Sequence, residues 1–91
     1  MTYNLSGMLD IMFAITYILP MKLKNHIKQH RARLNLTQQE LADGVGVRRQ
    51  TILAIEKGHF EPSAKLAFQI ARALGMRADE LFELIDEEEP R

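Results

Sequence analysis

From Met21 onward, apolar residues recur at three- and four-residue intervals, and Gly, Pro, Ser and Asn separate the runs. Ile27, Arg31 and Leu34 share one helical face, Leu41 and Ala42 turn inward on a second helix, and Ile52 and Ile55 do so on a third. Leu66, Ile70, Ala71 and Leu74 make a buried stripe that Gly75 brings to a stop, and Leu81, Phe82 and Ile85 mark a final docking face. The spacing predicts five helices, over about 23–34, 38–44, 48–57, 63–73 and 78–85, and therefore an all-α fold. Helix starts are signalled as well. Thr37 precedes Glu40 by three residues, as a capping box requires, Ser63 can cap the fourth helix, and Asp79 and Glu80 sit where the fifth helix dipole favours negative charge.

The first twenty residues break this pattern. Met8–Leu19 is nearly all apolar, interrupted by Asp10 and Thr16. It is shorter than the roughly 20 apolar residues that cross a bilayer, and Asp10 opposes insertion. No Lys or Arg precedes Lys22, so the basic start of a secretory signal is missing. Two accounts stay open: translation beginning at Met21, or an apolar segment that packs on the domain or on a second subunit. The chain is accordingly divided into an apolar N-terminal extension (1–20), a domain (21–86) and an acidic tail (87–91).

Composition adds two constraints. Ninety-one residues suit one small domain, and the absence of cysteine excludes disulfides and thiolate metal sites, in keeping with a reducing cytoplasm. The formal net charge of zero hides a segregation. Residues 21–60 carry eight basic and three acidic residues, a net of +5, whereas 61–91 carry four basic and eight acidic, a net of −4. The basic half has the electrostatic footprint of a phosphate-binding face.

That half contains Leu36–Gly58, LTQQELADGVGVRRQTILAIEKG. It reads as two short helices with Asp43-Gly44-Val45-Gly46 as the turn between them. Arg48, Arg49, Gln50 and Thr51 open the second helix, and Arg and Gln are the side chains that bond bidentately to guanine and adenine edges in the major groove. A helix pair anchored by apolar residues and exposing such side chains at a helix start is a helix-turn-helix reader. The segment closely resembles the phage repressor/Cro-type, or xenobiotic-response-element-like, helix-turn-helix family. The matching pieces are LTQQELA, the G-V-x-R-Q-T-I entry, AIEKG, Glu61-Pro62-Ser63, LAFQIARALG and DELF, together spanning about residues 22–86. The resemblance implies a compact five-helix, repressor-like DNA-binding domain, preceded here by the apolar segment.

Arg49 and Gln50 are the first candidates for base contacts, on their chemistry and on the positions the resemblance gives to base readers. Thr51 suits a thymine methyl or a phosphate oxygen, and Ala54 at most an apolar contact. The resemblance puts the backbone N–H of Gln38 on a phosphate, where the helix dipole assists. Thr37 is a cap first and a phosphate contact second. Lys57 and Lys28 are either phosphate contacts or plain solvated lysines. Arg31 lies on the apolar face of the first helix, where an unpaired charge is costly, and the resemblance pairs that position with Glu56. A partly buried salt bridge between them is expected.

Three departures from the family pattern matter. Arg48 stands where a Ser or Thr commonly caps the reading helix, losing a cap worth about 1 kcal/mol while offering a phosphate contact. His30 replaces a common Leu, so the core there is expected to be less dry. Asn35 replaces a frequent Gly, which Asn tolerates because it enters the left-handed region readily. His26 and His30 have metal-ligand spacing, but no Glu or Cys completes a site. Nothing arranges a nucleophile, a phosphate loop or paired inward carboxylates, so neither an enzyme nor a cofactor is expected.

The expectation is a cytoplasmic, sequence-specific double-stranded DNA-binding regulator, acting as a homodimeric repressor on an operator. One rival is the antitoxin of a toxin–antitoxin pair, with a toxin bound by the N-terminal segment or acidic tail. The other is a protein-interaction module that uses the apolar N-terminus; direct membrane binding is disfavoured.

Overall fold

The computed structural model describes Met8, residues 10–12 and residues 21–86. Residues 87–91, and with them the expected acidic tail, lie outside the described residues, as does most of the 1–20 extension. In chain order the elements are β1 (Met21–Asn25), α1 (Ile27–Arg33), α2 (Gln38–Val45), α3 (Arg49–Glu56), α4 (Ala64–Ala73), α5 (Ala78–Leu81) and β2 (Phe82–Asp86). Met8 and residues 10–12 are also helical, which brings the helices among the described residues to six rather than five.

The all-α expectation needs a second correction, because β1 and β2 form a two-stranded sheet. The first helix starts at Ile27 rather than near residue 23, and the last ends at Leu81 rather than near 85. The physical reason is visible in β1. Met21, Leu23 and Asn25 are half-buried while Lys22 and Lys24 are exposed, the period-2 alternation of a strand. Phe82 has extended backbone (φ −119°, ψ 145°), which ends α5 after one turn. The His26 N–H donates to the Leu81 carbonyl at 3.0 Å, joining the end of β1 to the start of β2.

Residues 23–83 form one compact unit. Its core joins Ile27 of α1, Leu41 and Ala42 of α2, Ile52 and Ile55 of α3, Ile70, Ala71 and Leu74 from α4 and its end, Leu81 of α5 and Phe82 of β2. Leu36, Val45, Val47 and Leu66 pack around it, half-buried. No polar residue belongs to this core among the described residues, so apolar area removed from water is the main force holding α3 in place. Leu34, expected on the inner face of α1, is instead 45% exposed, because α1 ends at Arg33 before that face is completed.

The helix ends follow from local chemistry. Thr37 Oγ1 accepts the Glu40 N–H at 3.0 Å, and Glu40 Oε1 accepts the Thr37 N–H at 2.9 Å, closing the capping box. The Thr37 backbone N–H foremost, and the Thr37 hydroxyl after it, hold the Glu40 carboxyl below its ordinary pKa. Ser63 Oγ caps α4 through the Leu66 N–H at 3.1 Å. Arg48 occupies the N-cap of α3 without a side-chain bond, so that helix starts uncapped. Asn35 does adopt a left-handed conformation, at φ 56°. Partly buried His30 leaves its Nδ1 buried and without a partner, a polar flaw where an aliphatic side chain would be dry.

A candidate nucleic-acid interface

Two residues set the angle between α2 and α3. Helix α2 runs on to Val45, further than the Asp43–Gly46 turn expected from the sequence, because its closing bonds come later. Gly46 takes φ 74°, which only a residue without a Cβ enters freely, and the Val47 N–H reaches back to the Ala42 carbonyl at 3.0 Å. Val47 then packs against the core and Arg48 turns the chain into α3. The turn is therefore Gly46-Val47-Arg48.

Helix α3 hides Ile52 and Ile55 and turns its other side outward. Arg48, Arg49, Gln50 and Lys57 are exposed, whereas Thr51 and Ala54 are half-buried. Arg49 and Gln50 thus stand free at the start of the helix, and Thr51 and Ala54 are less accessible than they are. Lys57 lies at the opposite end, as the C-cap. Lys28 is exposed on α1.

The acidic residue of α3 is turned the other way. Glu56 Oε2 accepts from Arg31 Nε at 2.9 Å and Oε1 from the same guanidinium at 3.2 Å, a two-pronged ion pair between side chains only 14% and 6% exposed. Arg31 also donates through Nη1 to the Leu36 carbonyl at 2.8 Å, and Gln38 Nε2 donates to Glu56 Oε1 at 3.2 Å. The structure thus brings Arg31 and Glu56 together and adds Gln38 and Leu36, which sequence reasoning did not connect. Its electrostatic consequence is direct. With Glu56 neutralised inside, residues 48–57 present Arg48, Arg49 and Lys57 outward and no exposed carboxylate.

Gln38 opens α2, so its N–H has no acceptor within the helix. Its side chain is committed to Glu56, which leaves the backbone N–H as its outward donor. The Thr37 hydroxyl is occupied by capping.

A helix-turn-helix family model matches residues 27–81, which contain all of α1 to α5 and the whole interface just described. The chain belongs to the helix-turn-helix family of the Cro/C1 type. It is 52% identical over 66 residues to an uncharacterised HTH-type transcriptional regulator of Methanocaldococcus jannaschii, covering 72% of this chain and all of that one. A regulator described in the same words from Archaeoglobus fulgidus is 49% identical over 67 residues, 74% of this chain and 93% of its own. The Bacillus subtilis regulator YgzD is 45% identical over 65 residues, 71% of this chain and 98% of its own. Among solved structures, the clp gene regulator ClgR of Corynebacterium glutamicum superposes with a TM-score of 0.57 at 28% identity, over 59% of this chain and 57% of that one. A hypothetical transcription factor from Neisseria gives 0.55 at 27%, over 57% and 60%. This chain therefore spans less than two thirds of either solved protein.

A concavity within residues 23–83 is apolar. It is an open groove of about 910 Å³ whose lining includes Leu23, Ala67, Phe68, Met76 and Phe82, with Phe68 65% exposed. Among the described residues no helix is long and apolar enough to cross a membrane, and no cluster of His, Asp and Glu is arranged to hold a metal.

Proposed function

We propose that this protein is a cytoplasmic transcriptional regulator that binds double-stranded DNA sequence-specifically and represses as a homodimer, with α3 in the major groove. The observation that carries the reading is the free Arg48-Arg49-Gln50 start of α3 on a helix whose one carboxylate is paired inward. Arg49 and Gln50 read base edges, with Thr51 and Ala54 as minor apolar or methyl contacts. Arg48, Lys57, Lys28 and the Gln38 N–H, at the positive end of α2, hold phosphates. The family and the relatives named as HTH-type transcriptional regulators support the same reading.

Two copies are needed on energetic grounds. Eight residues of helix extend about 12 Å, enough to touch only a few base pairs, so a second half-site one DNA turn away roughly doubles the binding free energy. Exposed Phe60 and Phe68 are apolar surface of the kind a partner subunit covers. Occupying an operator then blocks the promoter. Fluorescence anisotropy with labelled duplex at low salt tests the first step. Arg48→Ala combined with Lys57→Ala should weaken binding to every sequence and flatten the salt dependence by about two counterions. A folded wild-type protein that binds no duplex at low salt would end the reading.

A further inference from the structure

The last residue of β1 makes two side-chain bonds that lie outside the interface described above. Asn25 is half-buried, and its Nδ2 donates to the Ile55 carbonyl in the last turn of α3 at 2.8 Å, across 30 residues of sequence. Its Oδ1 accepts the N–H of Ile27, the first residue of α1, at 3.2 Å. His26, the formal N-cap of α1, makes no side-chain capping bond, so Asn25 serves that helix start from one residue further out.

Both partners are groups that a helix leaves unsatisfied. The Ile27 N–H is among the first four donors of α1, and the Ile55 carbonyl is among the last four acceptors of α3. That carbonyl already takes the Gly58 N–H at 3.0 Å, and Asn25 fills its second lone pair. One residue further along, Glu56 is held by Arg31 of the same α1. Helix α3 is thus fastened to α1 at two adjacent points, one through backbone and one through side chain. The turn through Val47 and Arg48 holds the other end of the helix, so where this end is tied sets its angle. The core seats Ile52 and Ile55 but, being non-directional, sets that angle less sharply.

We infer that Asn25 is a positioning residue for base reading: its carboxamide ties the end of α3 to the start of α1 and so sets the angle at which Arg49 and Gln50 are presented. This rests on the reading of α3 as the DNA-contacting helix. The effect of Asn25 falls on the ratio of specific to non-specific affinity, because phosphate contacts tolerate a small rotation that bidentate base contacts do not.

Two variants of the full chain separate the two bonds. Asn25→Ala removes both. Asn25→Asp keeps an acceptor for the Ile27 N–H but sets a carboxylate oxygen against the Ile55 carbonyl, breaking only the tie to α3. Amide hydrogen exchange of the free proteins is the first readout. In both variants the Lys57, Gly58 and His59 amides should exchange about tenfold faster, as expected for one lost bond, while those of α4 hold their rates. The second readout compares a duplex selected by the wild-type protein from a random pool with a random-sequence duplex. The affinity ratio should fall about tenfold in both variants, with binding to the random duplex unchanged. Wild-type exchange at those three amides in Asn25→Asp would show that the tie does not hold α3. Faster exchange with an unchanged ratio would show that it does not bear on base reading. Either result overturns the inference. If the wild-type protein selects no duplex, the DNA reading itself fails and takes the positioning role with it, while the exchange rates still report on the bond.

Discussion

Removing Glu56 should cost this domain more than any exposed substitution, and the structure says how much. Glu56 accepts three hydrogen bonds, two from Arg31 and one from Gln38, and Arg31 is only 14% exposed. In Glu56→Ala the guanidinium keeps its bond to the Leu36 carbonyl but loses its counter-charge in a site that water scarcely reaches. Breaking one half of such a pair costs about 3 kcal/mol, toward the lower end of what fully enclosed pairs lose. At roughly 4–8 °C per kcal/mol for a domain of this size, the melting temperature should fall by roughly 12–24 °C. A small domain has about 5 kcal/mol of stability, so more than half would be gone. Circular dichroism melts and urea midpoints of Glu56→Ala, Arg31→Met and the double variant Arg31→Met/Glu56→Leu measure this. The double variant should recover most of the loss, because no lone charge remains, while still falling about 1 kcal/mol short for the abandoned Leu36 carbonyl. A Glu56→Ala protein that melts with the wild type, or a double variant that simply adds the two single losses, would refute the reasoning.

Other predictions are smaller. Ser63→Ala should lose about 1 kcal/mol, read as a lower urea midpoint with an unchanged slope, since it frees the Leu66 N–H and touches nothing in the core. Glu40 has a folded pKa below its ordinary value of 4.5, so its contribution is fully present above that pH and is lost as the pH falls through the lowered value. Glu40→Gln, which keeps an acceptor but no charge, should show a lower urea midpoint than the wild type at pH 7, and the two should converge as the pH falls below 4.5. Lys57→Ala should weaken binding to all duplexes alike and reduce the salt slope by about one, whereas Arg49→Ala should cost about 1–3 kcal/mol on the selected duplex alone.

What the sequence disclosed and what it concealed divide along the range of the interactions. The Thr37–Glu40 box, the Ser63 cap and the inward faces of α2, α3 and α4 are written within four residues, and spacing alone shows them. The Arg31–Glu56 pair spans 25 residues, and it was visible only because a charge on an apolar face demands a partner and the family pattern names one. The sheet was missed although Met21-Lys22-Leu23-Lys24-Asn25 alternates cleanly, because five residues beside a longer helical run were absorbed into it. Its partner strand, Phe82–Asp86, is some sixty residues away, and Phe82-Glu83-Leu84-Ile85 reads equally well as one helical turn. Asn25 carried no signal beyond an asparagine near a helix start. Its bond to a main-chain carbonyl of α3 leaves no side-chain partner in the sequence to suggest it.

The central claim is that the outward face of α3 reads base pairs. Selecting bound duplexes from a random DNA pool with the full-length protein, in parallel with Arg49→Ala and Gln50→Ala, tests it most directly. The account predicts an inverted repeat with half-sites about one helical turn apart, containing at least one guanine and one adenine per half-site. Each variant should lose preference at one of those positions. Folded wild-type protein that enriches no sequence at low salt, or variants that enrich the same repeat as strongly as the wild type, would contradict it.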